Sequence, residues 1–321
     1  MKKYIVIIMS LICLKLSAQQ DPMNTMFAYN KLQTNPAYTG ARDVLSMRAV
    51  YRYQWVKLPG QPQTFNFNVH SPIKNERIAL GLSLINDRIG VTNQNWVNAS
   101  FAYRIPFNND SKLSFGISAG AYMYNMDIHS LEHLDGNDPL LAGNFKGVNP
   151  LVGVGIYYYG NKYYIGIATP SMLPLDMKYS DDNIAASLIN TNQVSHIFGM
   201  AGYTFELGQK NNFWIQPQVL LKFVGSKKVK APFQGDFNTT FTLYKVFNFG
   251  LTYRSSVGDI YKDRESLDFM TMFDTRKGFI IAYSYDMTLS KISNYERGSH
   301  EILLGYDINL WKKGVRTPRY F

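Results

Sequence analysis

The residues of this chain that could carry chemistry begin with its histidines and their acidic neighbours. His129-Ser130-Leu131-Glu132-His133 sets two imidazoles four residues apart, a spacing that could hold zinc on one face of a helix. Its order is not the HExxH of zinc proteases, and the segment is expected in a loop, so no metal site is assigned. Asp135-Gly136-Asn137-Asp138 lacks the alternating oxygen ligands of a calcium loop, and Asp181-Asp182 fits a solvated turn. His300 and Glu301 are adjacent, so on a strand they would leave opposite faces. No nucleophile elbow, phosphate loop or dinucleotide fingerprint occurs. The expectation is no catalytic residue, no metal and no cofactor, hence not an enzyme.

What such a chain can do is set by the elements that carry its polar residues. Met1-Lys2-Lys3, the apolar run Ile5 to Leu14 and the small residues before Gln19 read as a signal peptide over 1–18. The apolar run is about half the roughly 20 residues of a spanning helix, which argues against a retained anchor. Ile12 before Cys13 argues against a lipoprotein, and the only cysteine would leave with the leader. Apolar residues make up 46% of the chain, yet no later segment is long and apolar enough for a spanning helix. Aromatics reach 15%, with 23 Tyr and 20 Phe, as interfacial girdles of a membrane barrel require. The net charge of +10 is dispersed, which excludes a nucleic-acid partner.

Alternation supplies the fold. Ile302, Leu304, Tyr306 and Ile308 face one way, and Glu301, Leu303, Gly305 and Asp307 the other. Phe65, Phe67 and Val69 alternate with Asn66, Asn68 and His70, and Phe247, Phe249, Leu251 and Tyr253 with Asn248, Gly250, Thr252 and Arg254. A helix would need apolar repeats three and four apart instead. Fourteen strands are predicted, near 43–56, 62–71, 76–87, 92–106, 111–126, 146–159, 162–169, 193–206, 211–224, 236–244, 245–256, 265–274, 277–288 and 299–312. Every second connection is short, whereas those at 127–145, 170–192 and 225–235 are the longest. Short periplasmic turns and long outer loops are what an outer-membrane barrel shows. The expectation is an all-β, integral outer-membrane antiparallel barrel over 43–312 with two long outer loops. A pre-barrel or plug segment would span 19–42 and a tail 313–321, both termini being periplasmic.

The alternation also directs Arg48, Arg52, Arg104, Lys222 and Arg254 inward. A midplane arginine on lipid costs about 2–4 kcal/mol, which explains their direction but not their sign. Two readings stand. The basic lumen holds an acidic segment of a partner or of the barrel's own loops, or it is a wet interior balanced by Asp286, Glu301 and Asp307.

Several short elements carry a resemblance. Asn35-Pro36-Ala37-Tyr38-Thr39-Gly40 is followed by Tyr51-Arg52-Tyr53-Gln54-Trp55, then Gly60-Gln61-Pro62-Gln63-Thr64 and His70-Ser71-Pro72. Asp87-Arg88-Ile89-Gly90 and Tyr163-Tyr164-Ile165-Gly166 come later. In this order they resemble the PorP/SprF family of outer-membrane proteins of the type IX secretion system. The physical reading of the same residues is backbone and membrane anchoring: Asn35 extended before Pro36, a turn at Gly40, Trp55 at an interface, and hairpin punctuation at Gly60 and Pro62. The resemblance implies an accessory to type IX secretion or gliding motility. It would dock an exported partner, a gliding adhesin or a protein carrying the C-terminal signal domain, alongside secretion or anchoring components. The composition and alternation alone leave a porin or small-solute transporter open. The docking surface is equally open among the outer loops, the lumen and residues 19–40.

Overall fold

The computed structural model describes residues 24–310, apart from 74–75, 109, 128–143, 174–194, 208–211, 225–232, 258–263 and 276. The expected leader, the tail, the bulk of the two long outer loops, His129, His133, Asp135 to Asp138 and Asp181-Asp182 lie outside the described residues. The chain forms one closed antiparallel β-barrel. Its first half holds β1 (Leu45–Tyr53), β2 (Gln63–Pro72), β3 (Ile78–Ile89), β4 (Thr92–Pro106), β5 (Lys112–Asp127), β6 (Asn144–Tyr159) and β7 (Tyr163–Thr169). Then come β8 (His196–Tyr203), β9 (Phe205–Leu207), β10 (Phe213–Val224), β11 (Phe233–Leu243), β12 (Phe247–Val257), β13 (Arg264–Asp274), β14 (Phe279–Thr288) and β15 (Ser299–Ile308). Both β8 and β9 pair with β10, so they are one wall strand broken at Thr204, and the wall has 14 strands. The ring closes where β1 pairs with β15, Leu45 opposite Ile308.

Closure follows from lipid chemistry, because hydrocarbon offers backbone amides no partner and only a sheet without edges pairs them all. The alternation then sorts side chains. Tyr51, Phe65, Leu80, Phe101, Ile117, Phe249 and Ile302 are exposed on the outer face, where lipid covers them. Asn66, Asn68, Ser100, Thr240, Asn248 and Glu301 are buried on the inner face. The predicted strands all occur, with two local differences. Ladder pairing resumes at Phe233 rather than 236, and the last strand stops at Ile308, leaving Leu310 outside it.

The core of the barrel is its own amino-terminal segment. Three short 3-10 turns, Phe27–Tyr29, Lys31–Gln33 and Pro36–Tyr38, are folded inside the ring. Phe27, Leu32, Ala37 and Tyr38 pack on Tyr157, Tyr164, Phe198 and Leu220 of one wall. Met26 packs on Val50, Met270, Ile280 and Leu303 of the facing wall, and Tyr29 touches both clusters. Buried apolar surface contributes roughly 25 cal/mol per Å², so these contacts fasten a segment that has no ladder of its own.

The fit depends on glycines in the wall. A Cβ on Gly116 would stand 2.1 Å from the Ala37 nitrogen, and one on Gly155 would stand 2.2 Å from Asn35 Oδ1. A side chain there cannot be accommodated without moving the segment. Gly116→Leu is therefore expected to expel residues 24–41 while leaving the ladder closed. The check is limited proteolysis of the refolded barrel. New cleavage within 24–41 with the heat-modifiable gel shift of a folded barrel retained is the expected outcome, and unchanged protection would contradict the packing.

Candidate functional site: an occupied, charged lumen

Asn35 begins the seating of the segment. It is extended (φ −143°, ψ 110°), as a residue before proline must be, and its Oδ1 accepts from the Ala37 N–H at 2.8 Å. Its Nδ2 donates to the Ile156 carbonyl at 3.2 Å, tying the turn to β6. Tyr38 meets His70 edge-on with ring centroids 5.4 Å apart, and His70 Nδ1 accepts from the Gly40 N–H at 3.0 Å. Gly40 has φ +74°, and a Cβ there would meet Ala79 at 2.4 Å. Thus Asn35, Pro36, Ala37, Tyr38, Gly40 and His70 form one seat, with Pro72 backing Gly40. Lys31 is buried against the Tyr164 ring, its Nζ 4.6 Å from the centroid, and donates to the Ala28 carbonyl at 2.6 Å.

The remaining motif residues stand at the opposite end, by the β1–β2 connection. The Gln54 N–H donates to the Pro62 carbonyl at 3.0 Å, and the Trp55 N–H to Ser299 Oγ at 3.1 Å. Trp55 and Lys57 hold the left-handed φ values 54° and 81°, and Gly60 has φ 72°. Tyr51 points outward, its hydroxyl donating to Gln63 Oε1 at 3.3 Å. Gln54 to Pro62 thus shape a rim, whereas Arg52 turns into the lumen that Asn35 to Gly40 fill.

All five basic residues directed inward by the alternation are buried, and each has an acidic partner. Arg52 contacts Asp286 at 2.6 Å and Glu301 at 3.1 Å. Glu301 also accepts from the Thr25 and Met26 N–H groups at 2.8 and 3.0 Å, and Thr25 Oγ1 donates to Asp286 at 2.5 Å. Lys222 and Arg254 both contact Asp236 at 2.9 Å. Towards the short-turn end, Arg48 and Arg42 share Asp307 at 2.8 and 2.7 Å. Arg104 and Lys112 share Asp43 at 2.7 and 3.0 Å, and Arg104 donates to the Gly40 carbonyl at 2.6 Å. The acidic groups that meet the basic lumen come from the wall and from the chain's own Asp43.

Asp236 and Lys112 sit at inward positions and were accessible to the alternation argument. Thr25, Lys31, Arg42 and Asp43 lie in irregular chain, where no period announces them. Asp268 was also missed. It faces Asp286 directly across β13 and β14, and among the described residues neither of its carboxylate oxygens has a hydrogen-bond partner.

Glu301→Ala leaves Arg52 short of a partner and frees the Thr25 and Met26 N–H groups, at a cost of about 3–5 kcal/mol for a broken buried pair. Asp268→Asn relieves a like-charge cross-strand pair and should instead raise stability by up to about 1 kcal/mol. Urea unfolding of the refolded barrel measures both, and equal losses would contradict the assignment. Lys31 supplies a pH signature, because burial, assisted by the charge of Arg42, pushes its ammonium down to about 7 from 10.5. Between those values the unfolded chain binds more protons than the folded one, so stability rises with pH across that window. Lys31→Met should flatten that rise, and a slope that persists in the variant would assign it elsewhere.

The fold and the occupied lumen can be set beside known proteins. The barrel is similar to the CymD monoaromatic hydrocarbon channel, with TM-score 0.52, 10% identity, and coverage of 88% of this chain and 93% of that one. It is also similar to a TodX monoaromatic hydrocarbon channel mutant, with TM-score 0.50, 12% identity, and coverage of 87% and 94%. Identities this low speak for the barrel fold alone. No curated protein matches the sequence. The family described as type IX secretion system membrane protein PorP/SprF matches residues 16–306, a span that takes in the lumen segment, the rim and nearly every wall strand. With that match across almost its whole length, the chain belongs to the PorP/SprF family of type IX secretion membrane proteins, as an outer-membrane barrel whose lumen holds its own amino-terminal segment.

Proposed function

We propose that this barrel is an accessory of type IX secretion or gliding that docks an exported partner for surface display or anchoring. The partner is a gliding adhesin or another protein recognised through its C-terminal signal domain. The observation that carries this reading is the seating of Asn24 to Asp43 between facing walls, with Glu301, Asp307, Arg104 and His70 all engaged by it. A pathway for solutes needs a wet, open interior, and a lumen committed to holding its own chain serves that purpose poorly. A rigid barrel with long loops at one end instead suits recognition at that end, since binding residues concentrate on loops held by a scaffold.

The orientation belongs to the same proposal. The start of β1 and the end of β15 lie at the end of the barrel where the connections β2–β3, β4–β5, β6–β7 and β11–β12 are short. Short turns on the periplasmic side would put both termini in the periplasm and the long connections outside. Secretion or anchoring components would then meet the periplasmic face, and the exported partner the outer one.

Deleting the gene should abolish surface display of one exported protein while nutrient uptake continues, and affinity purification from native membranes should recover that protein. Recovery of assembly factors and lipid alone would sink the docking reading. In planar bilayers the intact barrel should conduct poorly, whereas a variant lacking residues 24–41 should open. High conductance of the intact protein would favour a porin.

A further inference from the structure

Beside the β1–β2 loop, a cleft of about 370 Å³ lies between that loop and the β3–β4 hairpin, lined by Lys57, Pro59, Gly60, Gln61, Gln63 and Arg88. It is built by constraint. The Gly90 N–H donates to the Gly60 carbonyl at 2.9 Å, and a Cβ on Gly60 would meet Gly90 Cα at 3.2 Å, so the two loops are locked together. Val56 exchanges backbone hydrogen bonds of 3.0 and 2.9 Å with Gly298 and Arg297, which fixes the far side of the loop. Within it, Trp55 and Lys57 occupy left-handed backbone conformations that non-glycine residues avoid, and such strain persists only where its surroundings hold it. Lys57 and Arg88 are exposed, and neither has an acidic partner among the described residues.

Position identifies what the two cations would meet. Along the outer face of the wall, the register rows run from Phe67, Leu84 and Val97 to Phe65, Asn86 and Asn95, and then to Gln63, Arg88 and Asn93. The surface therefore passes from apolar to amide to cationic within two rows. Asn86 Nδ2 donates to Asn93 and Asn95 at 2.7 and 2.8 Å, a mesh that closes the apolar band. The next row on the same face is Gln63, Arg88 and Asn93, one step beyond the apolar band, with Arg88 exposed. The Tyr51 hydroxyl occupies Gln63 Oε1 and leaves Nε2 as a donor.

We propose that this cleft binds the phosphate of a membrane lipid headgroup, with Arg88 and Lys57 as cationic contacts and Gln61 and Gln63 as amide donors. An outward-facing arginine one row past the hydrocarbon edge suits phosphate oxygens through its planar fork of N–H groups. Two lipids share that chemistry, a glycerophospholipid and a phosphorylated glycolipid. The inference needs only that the barrel spans a membrane, and it is independent of which protein is docked.

The test is native mass spectrometry of the full-length, delipidated barrel in detergent, titrated separately with phosphatidylglycerol, with a bisphosphorylated lipid A and with inorganic phosphate. Wild-type protein should retain one lipid molecule, and the tighter of the two lipids identifies the source. Lys57→Gln with Arg88→Gln should weaken retention about tenfold or more per lost charged contact. Lys57→Arg with Arg88→Lys should restore part of it, and Lys277→Gln at the other end should change nothing. Heat-modifiable gel migration verifies that each variant is folded. Equal lipid retention by the wild type and the double glutamine variant would overturn the proposal, as would binding of inorganic phosphate with neither lipid retained. Unchanged surface display after deletion of the gene would count against the docking reading and leave the lipid site standing.

Discussion

Hydrocarbon cannot hydrogen-bond a peptide group, and most of the structure follows from that constraint. Each unpaired amide in the membrane would cost several kcal/mol, so the sheet must close on itself. Closure fixes which side chains meet lipid and which meet the lumen, since neighbours along a strand leave opposite faces. With 14 strands the ring encloses a space too large for wall side chains alone to fill. The amino-terminal segment fills much of it, and it lies against Gly116 of β5, Gly155 of β6 and Gly166 of β7, where a Cβ would meet Pro36 and Ala37 or Asn35.

The same geometry governs the charges. Buried ions are tolerated only with partners, and here they are shared, two cations to Asp236, two to Asp307 and two to Asp43. Where carboxylates face one another, as at Asp268 and Asp286, Arg52 pairs with Asp286 while the oxygens of Asp268 have no hydrogen-bond partner among the described residues. Thr25, Arg42 and Asp43 join the segment to these networks, so its docking and the electrostatic balance of the wall are one problem. A variant that loosens the segment should therefore disturb ion pairs far from it in sequence.

The two motif groups separate into two physical tasks. Asn35 to Gly40 are selected for shape inside the lumen, where a φ of +74° at Gly40 and a close approach to Ala79 leave no room for a side chain. Gln54 to Pro62 shape the rim beside Ser299 and Gly298. A reading confined to backbone punctuation and membrane anchoring accounts for Gly60 and Pro62 but not for Ala37 or His70, which are contacts between the segment and the wall.

The period-two pattern of residues such as Phe247 to Arg254 was enough to declare a barrel, to number its wall strands and to turn Arg48, Arg52, Arg104, Lys222 and Arg254 inward. That much is local, because a strand displays its two faces in its own sequence. Which acid each cation meets is not local. Asp236 faces Arg254 through a register between strands, Asp307 reaches Arg48 from the other end of the chain, and Asp43 reaches Arg104 from a segment with no period at all. The sequence alone determined the wall and the sign of its faces. The tertiary structure decided what fills the lumen, since packing partners hundreds of residues apart are chosen by closure of the ring rather than by neighbouring residues.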